Sequence, residues 1–309
     1  MRLLFNYLIF PGFLFSAVAG LMAGWIDRKV TARLQWRVGP PWYQNFIDLA
    51  KLMSKEVIVP EGAKSTFLLA PCFGLMSAIL VATILGLSLM SPGQSFIGDL
   101  IVVLYLLVIP ALSCIIGASA SGNPLASVGA SREMKLVLGY ELPFILAIIT
   151  VIIKSQGAIG LGALLAHQQA ATSHIFMDSG WLSASGVLAF VVAILCMQAK
   201  LGFVPFDMSE AEQEIAGGAL IEYSGLPLAL FRLTRHILLY IMPLFLIMLF
   251  LGHDTSPLFL IAKYIGIVVI IILIKNTNPR VKIEQAVRFF WGPVSILAAL
   301  SVGLALFGQ

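Results

Sequence analysis

Residues 3–26 carry no charge, and runs of the same kind recur to the end of the chain. A helix crosses a bilayer where about 20 mostly apolar residues follow one another. Such runs fall at 3–26, 67–90, 100–120, 136–153, 181–198, 237–251, 258–274 and 289–307. Breakers separate several of them. Ser91-Pro92-Gly93 ends the second run, Asp99 opens the third, and Ser121-Gly122-Asn123-Pro124 closes it. The pattern predicts an all-α polytopic membrane protein with about eight transmembrane helices, built as a single integral membrane domain over 1–309. Composition agrees: 60% of residues are hydrophobic and 11% charged, against roughly 45–50% and 25% in soluble domains. That balance excludes a soluble enzyme, a disordered chain and a secreted disulfide scaffold.

Eight spans put both termini on one side, and the basic residues test this. The connections 27–66, 121–135, 199–236 and 275–288 hold 16 of the 19 lysines and arginines, while Arg2, Lys154 and Lys263 lie elsewhere. Positive loops face the cytoplasm, so both termini are expected outside. The net charge of +4 therefore reports orientation, and no nucleic-acid partner is expected. Ala17-Val18-Ala19 mimics a signal-peptide cleavage site, but the apolar stretch continues to Trp25 and stops at Asp27-Arg28-Lys29, as a retained span does. Gly20 and Gly24 have the spacing that lets a neighbouring helix come close. Cys72, Cys114 and Cys196 stand far apart in apolar segments and read as inert thiols. The four histidines show no paired arrangement for a haem.

Within the first cytoplasmic loop, Trp42, Phe46, Leu49 and Met53 recur at helical spacing, with Gln44, Asp48, Lys51 and Lys55 between them. This predicts an amphipathic helix on the membrane or under a partner, the alternative being a solvated basic loop. Loop 199–236 concentrates Asp207, Glu210, Glu212, Glu214 and Glu222. A helix starting near Met208 would put Glu210 and Glu214 on one face, with Asp207 a turn before them. Carboxylates crowded with little water raise one another's pKa and can pass protons. A solvated acidic loop that docks a basic partner is the other reading.

Glu141 lies about a turn and a half inside the fourth span, below Ser131-Arg132-Glu133. An acid at that depth is costly, which marks it as a proton-relay candidate. A structural ion pair, with Arg132 as partner, is the alternative. Lys263 lies near the outer end of its span and is expected to snorkel. Asp99 is either a helix cap or an outward member of the relay.

Taken in order, five motifs resemble the complex I subunit 1 family. They are Asp27-Arg-Lys-x-x-Ala-Arg-x-Gln-x-Arg-Val-Gly-Pro40, Gly129-Ala-Ser-Arg-Glu133, Tyr140-Glu141, Pro205-Phe-Asp207 and Glu210-Ala-Glu-Gln-Glu214 continuing to Glu222-Tyr-Ser-Gly225. The family includes the matching membrane subunit of energy-converting nickel–iron hydrogenases and formate hydrogenlyase. Passage from Gly39-Pro40 straight to Pro41-Trp-Tyr, without the insert usual in quinone enzymes, looks like the hydrogenase branch, as do the Glu133 and Glu210–Glu214 motifs. Asp27 departs from the glutamate typical of the quinone enzymes.

The resemblance implies a membrane-anchoring, proton-coupling subunit in a prokaryotic cytoplasmic (inner) membrane, with no cofactor of its own. A nickel–iron centre and iron–sulfur clusters would sit in the partners. Those partners would be hydrogenase large and small subunits, an iron–sulfur subunit and antiporter-like membrane subunits. Glu141, Asp207, Glu210, Glu212, Glu214 and Glu222 would form the relay, with Glu133 and Asp99. Asp27, Arg28, Lys29, Arg33, Arg37 and Arg132 would face the peripheral arm. An equivalent subunit of a quinone- or sulfur-reducing complex is the alternative, although the short first loop offers a quinone tunnel few walls. A stand-alone ion transporter is a third reading; it needs repeat-related broken helices at mid-membrane, and the sequence offers one deep acid and no repeat.

Overall fold

The computed structural model describes residues 2–60, 62–94, 98–170, 177–178, 181–253 and 256–308. Its helices are α1 (Arg2–Leu8), α2 (Phe13–Leu34), α3 (Gln44–Met53), α4 (Lys64–Met90), α5 (Asp99–Leu106), α6 (Ile109–Ala120) and α7 (Pro124–Lys154). They continue with α8 (Leu161–Ala170), α9 (Ala184–Lys200), α10 (Glu212–Ile215), α11 (Gly225–Phe250), α12 (Pro257–Thr277), α13 (Ile283–Phe289) and α14 (Ser295–Leu306). Seven helical stretches among the described residues are long and apolar enough to cross a membrane. The eighth expected span is α9, whose 17 residues rise roughly 26 Å, slightly under the ~30 Å hydrocarbon thickness. The chain is an all-α polytopic membrane protein. A two-residue antiparallel hairpin, Met177–Asp178 with Trp181–Leu182, and α8 fill the connection before α9, where the sequence pattern carries no signal.

The spans differ from the apolar runs in one consistent way. The helix α2 continues eight residues past Ile26, and α7 and α11 each begin 12 residues before their apolar runs at 136 and 237. Asp27-Arg28-Lys29, Arg132-Glu133 and Arg232–Arg235 are therefore helical, not loop. Hydrogen-bond continuity carries a helix beyond the hydrocarbon, and hydropathy cannot see that extension. Asn123 starts α7 by accepting from the Leu125 N–H (2.8 Å), and Pro124 occupies the first turn, where its missing N–H costs nothing. The third span breaks at Leu107-Val108, just before Pro110. The last contains one π turn, Phe290–Val294, around Pro293.

The central helix is α11, packed along α2 and α4, while α7 packs against α9, α14 and α6. Contact between α2 and α11 depends on Gly20, because a Cβ there would lie 2.4 Å from the His236 carbonyl oxygen. This is the close approach that the glycine spacing allows. Gly20→Val is expected to force the two helices apart and cost about 1–3 kcal/mol. Thermal unfolding in detergent measures it; an unchanged transition would mean the interface absorbs the side chain.

Candidate functional site

At the charged end of α2, Asp27 is buried and receives both hydrogen bonds of an ion pair from Lys275, at 2.8 and 3.0 Å. The Lys275 ammonium also stands 4.7 Å from the centre of the Phe203 ring. Arg28 pairs with Asp48 at 2.9 Å, and Gln44 donates to the same carboxylate at 2.8 Å. The expected amphipathic helix is present as α3, and Asn45 fixes it by donating to the Leu21 carbonyl (2.8 Å). Partial burial works to raise the Asp48 pKa. Hydrogen bonds from Arg28 and Gln44 and the charges of Arg28 and Lys51 outweigh it, holding the carboxyl below its usual range.

The third cytoplasmic loop (loop three, 199–236) does not form a helix from Met208. Between Met208 and the start of α11 the helical pieces are Glu212–Ile215 and a 3-10 turn at Gly218–Leu220, and the segment before them is a series of turns. The chain folds back so that the Ala219 N–H donates to the Ser209 carbonyl at 3.1 Å. Gly218, at φ +52° and with no room for a Cβ beside Ser209, permits the reversal, and Gly129 on α7 lets the folded loop lie against that helix. The acids consequently splay instead of sharing one face. Asp207 pairs with Arg280 (2.8 Å), Glu210 with Arg235 on α11, and Glu214 with Arg132 on α7. Glu222 accepts from Asn123, and the Glu212 side chain lies outside the described residues. Tyr223 stacks on Phe67 and donates to its carbonyl at 3.1 Å. Burial, with Cys114 behind it, pushes that hydroxyl up, so it remains a donor.

Deeper in, Glu141 is ion-paired, and its partner is Lys200 at the end of α9 rather than Arg132. The Lys200 side chain is 2% exposed, with its ammonium 5.1 Å from the ring centres of both Tyr140 and Phe144. Lys200 also borders a cavity of about 50 Å³ whose wall includes Glu133, Ser209, Glu210 and Arg235. Glu133 shares that wall with Ser209 and lies in the field of Arg235. The structure thus gathers Glu133 and Glu210 around one small cavity, with Glu141 linked to it through its partner Lys200. It does not bring Asp99 there: buried at the first residue of α5, Asp99 is not part of that wall, to which the third span contributes Pro110, Ala111 and Cys114. Lys263 donates to the Leu251 carbonyl at 2.7 Å, at the end of α11.

Sequence reasoning missed the cations. Lys200, Arg235, Lys275 and Arg280 counted only toward orientation, yet each neutralises a carboxylate. Crowded carboxylates raising one another's pKa were the expectation; the geometry separates them with opposite charges. The available signal was Lys200 closing a 17-residue, largely apolar helix in which it is the only charge, a position where an unpaired ammonium is costly.

Beside this set a larger cavity of about 590 Å³ opens between the end of α2, loop three and α11. Asp27, Arg28, Glu210, Arg232, Arg235 and His236 supply its polar wall, and Phe203, Leu228 and Leu239 part of its apolar wall. The chamber's wall on this side comes from the helical end of α2, not from the loop that follows it.

Seven spans and the shorter apolar α9 among the described residues, with a charge network and a chamber at the end of α2, define a multi-pass membrane protein. The family model described as NADH dehydrogenase matches residues 6–306, and the chain belongs to that family. It is 32% identical to the H subunit of NADH-quinone oxidoreductase from Thermomicrobium roseum, over 98% of this chain and 95% of that one. The same subunit from Syntrophotalea carbinolica is 30% identical over 89% and 87%. Among solved structures, a chain of the membrane-bound sulfane sulfur reductase, an archaeal respiratory membrane complex, superposes with a TM-score of 0.87. Its identity is 30%, covering 99% of this chain and all of that one.

If the Glu141–Lys200 pair is mutually dependent, removing either charge leaves the other stranded in low dielectric. Glu141→Gln and Lys200→Met are each expected to lose about 3–5 kcal/mol of stability, and the double variant to recover most of it. Thermal unfolding of the three variants measures the coupling; additive losses would show that the pair does not hold the site.

Proposed function

We propose that this chain is the membrane-anchoring, ion-coupling subunit of a complex I-like respiratory complex, and that its partner arm is a nickel–iron hydrogenase. The observation that carries the first half is the row of groups from Glu210 through Glu133 to Glu141, which leads from the loops into span α7. A proton arriving at the chamber meets Glu210 and Arg235 first, then the small cavity, then the Glu141–Lys200 pair. Each step displaces one partner of an ion pair by protonating the carboxylate. That couples proton position to side-chain position, and so to whatever charge change the arm makes above it.

Docking of that arm is supported by the first loop. Trp36 and Val38 are 98% and 96% exposed, and Trp36 sits at φ +57°, a left-handed conformation strained for a bulky residue. Exposed Arg33 and Arg37 flank them. Among the described residues Lys29 and Arg33 remain for a partner, Arg37 donates to the Gln35 side chain, and Asp27, Arg28 and Arg132 are paired within the chain. A solvated tryptophan between arginines is the composition of an interface anchor.

The hydrogenase reading rests on the direct Gly39-Pro40-Pro41 passage and on Glu133, which lines the small cavity beside Glu210 and Lys200. The chamber of about 590 Å³ favours a second reading, in which it admits a quinone or the substrate of a sulfur-reducing arm. Nickel content of the native complex, isolated in mild detergent through this subunit, separates the two. Stoichiometric nickel with hydrogen evolution from a reduced low-potential donor is expected. Iron without nickel would assign the quinone- or sulfur-reducing branch, and neither metal would return the chain to a transporter.

Proton coupling is tested apart from arm identity. Glu141→Gln in the assembled complex is expected to retain electron transfer in part and to weaken proton pumping. Lys200→Gln in the same background controls for a stranded ammonium. Pumping at the unmodified level would remove Glu141 from the path.

A further inference from the structure

On the outer surface, an apolar groove of about 430 Å³ runs between α7 and the α13–α14 span, far from the chamber's lining residues. Leu138, Ile283, Val287 and Trp291 make its floor, and Lys135 and Arg288 stand at its rim. We propose that this groove binds one anionic phospholipid, with its phosphate between Lys135 and Arg288 and an acyl chain along the floor.

Three observations carry this. The first is depth. The apolar run of α7 begins at Leu136, directly after Lys135, and the last run begins at Phe289, directly after Arg288. Both cations therefore stand at the headgroup level of the basic side, and the floor residues Leu138 and Trp291 lie on its hydrocarbon side. The second is charge. Lys135 and Arg288 are exposed and have no hydrogen bond or ion pair among the described residues, whereas the cations around the relay are engaged. Glu284 also reaches the rim. The net charge there is positive, and a headgroup with hydroxyls, such as phosphoglycerol, satisfies the carboxylate by donating to it. The third is the π turn at Phe290–Val294. It buries Phe290 against Phe206 and Tyr140 (ring centres 4.8 and 6.3 Å) while leaving Trp291, 60% exposed, on the groove side. A tryptophan at this depth is an interfacial anchor, and basic pockets between spans on the positive side are where anionic headgroups bind.

The test uses the complete complex, delipidated in mild detergent and re-exposed separately to phosphatidylglycerol, phosphatidylcholine and phosphatidylethanolamine. Bound lipid is counted by native mass spectrometry. Retention of phosphatidylglycerol above the other two is expected. Lys135→Gln with Arg288→Gln should weaken that retention roughly thirtyfold, at about one kcal/mol per surface cation. Leu138→Trp should abolish it by filling the floor with both cations intact. Equal retention of the three lipids, or retention unaffected by either variant, would overturn the proposal. So would the cross-linking of Trp291→Cys to a helix of another protein in native membranes, since a helix in the groove excludes the lipid.

Discussion

A carboxylate taken out of water survives only if something replaces the water, and in this protein the replacement is a cation at almost every step. Asp27 has Lys275, Asp48 has Arg28, Asp207 has Arg280, Glu210 has Arg235, Glu214 has Arg132 and Glu141 has Lys200. These pairs are also the joints of the fold. Each connects segments distant in sequence: α2 to α12, loop three to α11 and to the α12–α13 connection, α7 to α9. Desolvating two charges costs about as much as their attraction returns, so the pairs specify an arrangement more than they stabilise it. Apolar burial along α11 and its neighbours supplies the stability.

Much of the fold was legible because a bilayer imposes a length. Apolar runs and the helix under the first loop follow from period and charge alone, and α3 lies where Trp42, Phe46, Leu49 and Met53 placed it. What hydropathy could not show was any helix outside the hydrocarbon. The first turns of α7 and α11, and the last of α2, are polar enough to read as loop and are helical because their hydrogen bonds simply continue. The site lay in that blind zone. Its acids were visible, since acids are few; the cations that organise them were hidden among those that set topology.

Pairing across elements also explains why loop three could not become the helix its spacing suggested. A single face would have brought Asp207, Glu210 and Glu214 together with no compensating charge. The turns at Asp207–Ala211 and the reversal at Gly217-Gly218 send each carboxylate to a different arginine. The same splaying opens the chamber, for Arg235 and Glu210 are held against one wall and Asp27 and Arg28 against the other.

A network of satisfied ion pairs is, at rest, an obstacle to proton movement, because a carboxylate held by an ammonium or guanidinium binds a proton poorly. Under the proposed coupling role that obstacle would serve to gate the path. Glu133 has no ion pair among the described residues, so in that role it would take a proton without first dismissing a cation. A proton there would reduce the negative charge facing Arg235 and the small cavity. Lys200, at the border of that cavity and bonded to Glu141, would then feel a changed field from one side only. Charge placed at the basic end would thereby be felt within span α7, through groups that need move no farther than a lysine side chain reaches.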